Sequence, residues 1–391
     1  MMMQPPSDWD EVPLGAVVNL KRGYDLPSKE RRDGVVPIVS SSGITGFQDE
    51  VKVTPPGVVT GRYGTLGQVF FIQEGFWPLN TTLYVQDFKG NDPRWVSYLL
   101  SVLRFGERSG AAAVPGLNRN ALHQLPVLRP PVRTQQKVAS VLSTYDSLIE
   151  NNTRRIQILE EMAEAIHREW FVEFRYPGHE EEDLVETDPG PIPNGWERKP
   201  LFIVAEPTFG FPFKSELFRS SGDGMPVIRI RDIPPNRTET LTSEKASAKY
   251  VVENGDLLVG MDGDFHMGRW AGGRSYLNQR VVRFRPIGDS LSRYHLFLEL
   301  RRPIRTLNQS IVGTTVAHLG KRHLEQINVV VPSPRIRGLA QEVFDPLFDQ
   351  QLTLHEATKN LASTRDLLLP RLISGEVDVS DLDIQTSGLV A

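Results

Sequence analysis

Asp262, Asp264 and His266 fall close together in the stretch MDGDFHMG, and two carboxylates beside an imidazole are donors that a divalent metal accepts. No further ligand pattern accompanies them, so a polar loop bonding its own backbone is expected there and no metal. Residues 61–67, GRYGTLG, space three glycines evenly but lack the Gly-x-Gly start of a dinucleotide turn, so a tight strand turn is expected. Gly313 and Gly320-Lys321 lie too far apart for a phosphate-cradling loop, and Arg322 follows where Ser or Thr is needed. TPPG, RPPV and IPPN carry paired prolines without the flanking Asn/Asp and aromatic residue of an amino-methyltransferase motif. The chain has no cysteine, which excludes disulfides, thiol catalysis and Cys-ligated metal centres. No catalytic residue is expected.

Arginine carries the remaining chemistry. The formal net charge of the 391 residues is −4, but it is unevenly distributed. Residues 8–131 sum to +1 and 196–333 to +6, whereas 132–195 sum to −7 and 334–391 to −4. Arg229, Arg231, Arg269, Arg280, Arg283 and Arg285 sit in the basic segment, and Arg suits phosphate forks and guanine edges better than Lys. With Arg62 and Tyr63 of the glycine-spaced turn they are candidate nucleic-acid contacts. The competing reading for each is an internal salt bridge. If Arg229 and Arg231, and likewise Arg283 and Arg285, lie on strands, their i, i+2 spacing puts each pair on one face.

The elements that must position these residues occur twice. Trp9 matches Trp196, Pro37 matches Pro226, Leu79-Asn80 matches Leu277-Asn278, and Leu122 matches Leu324, with an offset that drifts from 187 to 202 and then stays constant. Each half thus has a front part that tolerates insertions and a rear part of fixed length. Short β-branched runs bounded by Gly and Pro mark the front parts as strands, with helical stretches at 95–105 and 294–307 before the rear parts. In the first rear part Val138, Leu142, Tyr145, Ile149, Asn152, Ile156, Leu159, Ala163, Ile166 and Trp170 alternate in steps of four and three, a heptad seam with one polar position. At 1.5 Å per residue the rod is ~48 Å long. His167 lies off this seam and is expected to face solvent, while Trp170 and Phe171 are expected to pack at the helix end. Ile336, Ala340, Val343, Leu347, Gln350, Leu354, Ala357, Leu361 and Leu368 form the second seam, with Pro346 expected to kink or break it.

The expected architecture is therefore α+β: two tandem mixed α/β front domains and two long coiled-coil helices that bury their seams by packing together, antiparallel if a pseudo-twofold relates the two copies. The boundaries are 1–131 for the first domain, 132–176 for the central helix, 177–195 for an acidic Pro/Gly-rich linker, 196–333 for the second domain, 334–379 for the C-terminal helix and 380–391 for a tail. No apolar run approaches the ~20 residues that span a bilayer and the N-terminus lacks a leader pattern, so a soluble cytoplasmic protein without membrane contact is expected.

The stretch RTQQKVASVLSTYDSLIENNTRRIQILEEMAEAIHREWFVEF, 133–174, resembles the central conserved helix of type I restriction-modification specificity subunits, and LASTRDLLLPRLISGEVDV, 361–379, resembles their C-terminal helix. LNQRVVRF and GRYGTLG resemble elements of their target recognition domains, and MDGDFHMG departs from the latter, so the two domains are not expected to read the same bases. The resemblance covers nearly the whole chain. It implies a non-catalytic subunit that gives sequence specificity to a restriction endonuclease and DNA methyltransferase complex used in phage defence. Such a subunit binds double-stranded DNA at two different half-sites, one per domain, separated by unread spacer DNA, with the reading heads roughly 14 base pairs apart centre to centre if the rod sets the spacing. It also implies two methyltransferase subunits and restriction subunits with translocase and nuclease activity as partners. S-adenosylmethionine, ATP and Mg are then expected in those partners and no cofactor in this chain. The rivals are a single-chain nuclease or methyltransferase, against which the missing motifs speak, and a coiled-coil scaffold that does not touch DNA.

Overall fold

A computed structural model describes residues 6–63, 67–103, 117–310 and 317–386. The chain divides into two compact units, Met1–Glu150 with Lys359–Ala391, and Asn151–Thr358, so that each long helix contributes to both.

In the first unit the strands are β1 (Asp10–Pro13), β2 (Asn19–Arg22), β3 (Val36–Ser40), β4 (Gly43–Gln48), β5 (Gly57–Gly61), β6 (Val69–Ile72), β7 (Trp77–Pro78), β8 (Thr82–Asp87) and β9 (Pro126–Arg129). Helices α1 (Leu14–Val17), α2 (Pro93–Val102) and α3 (Arg119–His123) lie between them, and α4 (Val132–His167) follows. Strand order β2-β8-β5-β6 forms an antiparallel sheet, β4-β3-β7 a second sheet and β1-β9 a ribbon. All of β5 is buried, which is why GVVTG reads as an unbroken apolar run instead of an alternating one. Pro93 opens α2, and the Asp92 carboxylate accepts from Trp95 N at 2.8 Å, satisfying a donor that the helix start leaves free.

The second unit repeats this plan. Its strands are β10 (Leu184–Val185), β11 (Ile192–Pro193), β12 (Glu197–Pro200), β13 (Ala205–Phe209), β14 (Phe218–Arg219), β15 (Met225–Ile228), β16 (Leu241–Thr242), β17 (Val251–Val252), β18 (Leu257–Gly260), β19 (Met267–Arg269), β20 (Ser275–Leu277), β21 (Val281–Pro286) and β22 (Asn328–Val331). Its helices are α5 (Leu201–Val204), α6 (Arg293–Ser310) and α7 (Lys321–Glu325), followed by α8 (Pro334–Ile373). The order β13-β21-β18-β19 mirrors β2-β8-β5-β6, and β12-β22 mirrors β1-β9. The mirrored glycines Gly23 and Gly210 show the same crowding: a Cβ would meet Leu79 O at 2.1 Å in one and Asn278 O at 1.9 Å in the other. Each is fixed by the Leu-Asn turn that presses on it.

The long helices bury the expected seams. Val138, Leu142, Ile156, Leu159 and Ala163 are buried, and Tyr145, Ile149, Asn152, Ile166 and Trp170 are half-buried. In the first unit Val138 and Leu142 share a core with Leu372 and Ile373, and Leu368 packs against it. Arg365 pairs there with Asp146 at 2.8 Å, so residue numbers rise on α4 as they fall on α8, and the helices run antiparallel. In the second unit Ile156, Leu159, Leu354 and Leu347 pack together; Leu361 in the first unit is half-buried.

Three expectations change. Pro346 does not break α8, which is continuous; the carbonyl it deprives of an intrahelical partner belongs to Glu342, an exposed residue that solvent can reach. Gln350 is exposed and Gln351 is the inward polar residue, because Gln351 bonds Arg269 and accepts nothing from the seam, its amide donating to Tyr294 Oη at 3.0 Å. Residues 177–195 are not a loose linker: β10 pairs with β11, and Tyr176, Ile192 and Trp196 are buried in the second unit's core. The composition suggested a linker, but these apolar anchors hold the segment down.

Candidate nucleic-acid interface

In each unit three pieces of chain meet beyond the central buried strand, with equivalent backbone bonds and different side chains. In the first unit, Arg62 N and Tyr63 N, just past β5, donate to Thr81 O at 2.8 and 3.3 Å, and Leu117 N donates to Arg62 O at 3.0 Å. Thr81 ends the Leu79-Asn80 turn, which Asn80 fastens by donating to Asp25; Arg22 reaches the same carboxylate at 3.5 Å. The Arg62 guanidinium lies 4.6 Å over the Tyr63 ring, and Tyr63 is exposed. This stacking sets the cation beside an exposed aromatic ring. Gly64, Thr65 and Leu66 of the glycine-spaced turn lie outside the described residues.

In the second unit, Met261 N, just past β18, donates to Arg280 O at 2.9 Å, and Leu319 N donates to Met261 O at 2.7 Å. Met261 thus occupies the place of Arg62, and Arg280 the place of Thr81. The arginine has moved across the junction. Arg280 is exposed and pairs with Asp262 at 3.2 Å, and His318 Nδ1 donates to the same carboxylate at 2.6 Å. Asp262 therefore faces Arg280 and His318 instead of joining Asp264 and His266, whose own link is a backbone bond from His266 N to Asp264 O at 2.7 Å.

The other arginines divide by burial. Arg231 is exposed, its guanidinium only 3.9 Å from Asp232, and Arg229 is half-buried, 6.0 Å from the Phe218 ring. They do not form a strand pair: β15 ends at Ile228, and Ile230–Asp232 is a 3-10 turn that Asp232 closes by accepting from Arg229 N at 2.9 Å. Three candidates point inward. Arg269 is 8% exposed, sits 4.2 Å from the Tyr294 ring and 4.8 Å from Phe348, and donates to Gln351. Burial pushes its pKa down, with the phenol of Tyr294 and the carboxylate of Glu160 opposing. Arg283 is buried and donates to Val251 O and, at 3.0 Å, to Thr208 Oγ1. Arg285 holds the fully buried Asp256 with two bonds of 2.8 and 2.6 Å, and this pairing raises the arginine's pKa. Arg283 and Arg285 do share one face of β21, but it is a face the protein uses for itself. These three leave the candidate interface because Arg269 and Arg283 are buried and Arg285 is committed to Asp256.

His167 corrects another expectation. It is 13% exposed at the side chain, and its Nε2 lies 3.0 Å from Glu299 Oε1. Phe171, on the π-helical turn Arg168–Val172 that ends α4, is buried against His295, ring centroids 4.1 Å apart. The seam rule missed His167 because α6, an element of the recognition domain, covers that side of α4. Burial would raise the Glu299 carboxyl, yet His167 and His295 hold it at about 2.

Among the described residues no helix is long and apolar enough to cross a membrane. The family model for the type I restriction modification DNA specificity domain matches twice, over residues 6–161 and 193–362. The specificity subunit of the Escherichia coli type I restriction enzyme EcoBI is 31% identical over 199 residues, 50% of this chain and 42% of that one. The specificity subunit of the Methanocaldococcus jannaschii type I restriction enzyme MjaIX is 25% identical, the match covering 96% of this chain and 95% of that one. In fold, the crystal structure of a type I restriction-modification S subunit from M. genitalium is similar over 95% of this chain and 99% of that one, with a TM-score of 0.61 at 14% identity. Two matching copies of the domain, each built around the same strand order and the same three-chain junction, show that the chain belongs to the type I restriction-modification DNA specificity family.

Proposed function

We propose that the chain is the DNA-specificity subunit of a type I restriction-modification complex, with each unit reading one half of a bipartite, asymmetric target in double-stranded DNA. The observation that carries this reading is the equivalence of the two junctions: the backbone bonds coincide, and each presents one arginine from opposite sides, half-buried Arg62 over the exposed Tyr63 ring in the first and exposed Arg280 in the second. One frame with different side chains is what two unlike half-sites require. Tyr63, Arg231 and Arg280 are the contacts favoured by their exposure, with the half-buried Arg62 and Arg229 beside them.

The outer faces of the long helices would dock two methyltransferase subunits and, through them, the restriction subunits. Ile158 and Met162, one turn apart on α4, and Leu367 on α8 are large apolar residues left exposed. S-adenosylmethionine, ATP and Mg would belong to those partners, and the assembly would work in the cytoplasm.

The test is to map methylated positions in host DNA with and without this gene. The expected result is a single two-part sequence that loses methylation at both halves together. Seven residues inserted between Asn152 and Ile156, with matching growth of α8, should change the spacer and leave the half-sites alone. If the chain with its methyltransferase partner neither protects nor binds DNA selectively, the reading is wrong.

A further inference from the structure

His167, His295 and Glu299 form a cluster that the recognition of DNA does not use. Their candidate ligand atoms all lie within 4.8 Å of one another. His295 and Glu299 are one turn apart on α6, and His167 reaches them from the end of α4. His167 Nε2 is 3.0 Å from Glu299 Oε1, and His295 Nε2 is 3.6 Å from the same oxygen. A tetrahedral zinc with bonds near 2.0–2.1 Å sets neighbouring donors ~3.3 Å apart, between these two distances.

Hydrogen bonding alone leaves the cluster incomplete. At 3.6 Å the His295 contact is too long for a hydrogen bond, and His295 Nε2, on a residue 1% exposed, is buried with no partner. It is aimed at the same carboxylate oxygen. Val330 N approaches the other oxygen of Glu299 at 3.5 Å, which turns Oε1 toward the two imidazoles.

The first unit shows that the fold does not need polar groups here. Asp92 caps Trp95 and Ser292 caps His295, which sets α2 and α6 in register and matches Trp95 with His295 and Leu99 with Glu299. The constant offset of the rear parts matches Leu369 with His167. Trp95 and Leu99 are buried in the apolar core of the first unit, with Leu369 packed against it. The same place is thus filled by an indole and two leucines in one unit and by two imidazoles and a carboxylate in the other.

We propose that His167, His295 and Glu299 bind a first-row divalent cation, Zn2+ by the donor set, that fastens the end of α4 to α6 of the second recognition domain. A cavity of about 440 Å3 borders the cluster on the His167 side only, since His295 and Glu299 do not line it, and an ion or a water as fourth ligand would enter past His167. Arg168, Arg301, Arg302 and Arg305 on the cavity wall oppose a dication, although Arg301 is paired with Glu164, so the affinity should fall short of that of an all-acidic site.

The full chain, stripped with a chelator and dialysed, is titrated with Zn2+ alone, and with Co2+ as a visible-absorption probe of tetrahedral geometry. One Zn2+ per chain is expected, with a tetrahedral Co2+ spectrum and slower amide exchange around residues 163–172. His167→Ala, at the rim of the cluster, and Glu299→Gln should each weaken binding roughly 100-fold. Near-ultraviolet circular dichroism establishes that each variant is folded. His318→Ala, which alters the other His–Asp pair, should bind as the parent does. Absence of stoichiometric Zn2+ binding would overturn the proposal and leave a packed polar cluster. So would parent-like binding by folded His167→Ala, or loss of binding in His318→Ala alone.

Discussion

The two units share a strand order and a backbone junction, yet they differ in where each buries its polar groups. The first packs Trp95, Leu99 and Leu369 where the second has His295, Glu299 and His167. Conversely, the first places Tyr98, Asp146 and Arg365 in a bonded trio against the long helices, at positions that the repeat matches with Leu298, Phe348 and Ala163. Burial and the Asp146 carboxylate raise the Tyr98 phenol, which keeps it a donor at any ordinary pH. A recognition domain can therefore be attached to the same pair of helices by different chemistry. The backbone plan sets where the attachment lies, and the side chains set what holds it.

The largest expected effect comes from exchanging the two attachments. Leu99→Glu would bury a carboxylate without partners and should cost about 4 kcal/mol or more, whereas Glu299→Leu in chelator should cost about 1–2 kcal/mol; chemical denaturation measures both. Similar costs would mean that the two sites are not equivalent. Arg285→Ala should cost about 3 kcal/mol, since it strands Asp256, which is fully buried. Its effect on DNA should disappear when the variant is assayed at matched folded fraction, and a selective loss at one half-site would return Arg285 to the interface.

Arg62→Ala and Arg280→Ala should each weaken discrimination by roughly 10- to 100-fold at one half-site only, and at different half-sites. Binding competition against targets altered in one half separates them. Equal loss at both halves would break the assignment of one junction to one half-site. The smallest effect is that of Tyr98→Phe, which removes a single bond to Asp146 and should cost about 1 kcal/mol without changing sequence preference.

The heptad seams were legible because a helix that hides one stripe must repeat its apolar residues at fixed intervals, as Val138, Leu142, Ile156 and Leu159 do. The repeat was legible through Trp9 and Trp196 and the two Leu-Asn turns, each placed by packing that tolerates little change. The site was less so. Arg231, Arg269, Arg280 and Arg283 look alike in sequence, yet two are exposed and two are buried against partners far along the chain, such as Gln351 and Thr208.

The sequence by itself determined the elements and their duplication, because periodicity and turn chemistry are local properties of a chain, and the family came from the resemblance of residues 133–174 and 361–379 to its conserved helices. Only the tertiary structure decided which arginines remain free, why Gln351 and not Gln350 turns inward, and that His167 meets His295 and Glu299. Those outcomes depend on partners tens of residues away, and no spacing along the chain encodes which face such a partner will cover.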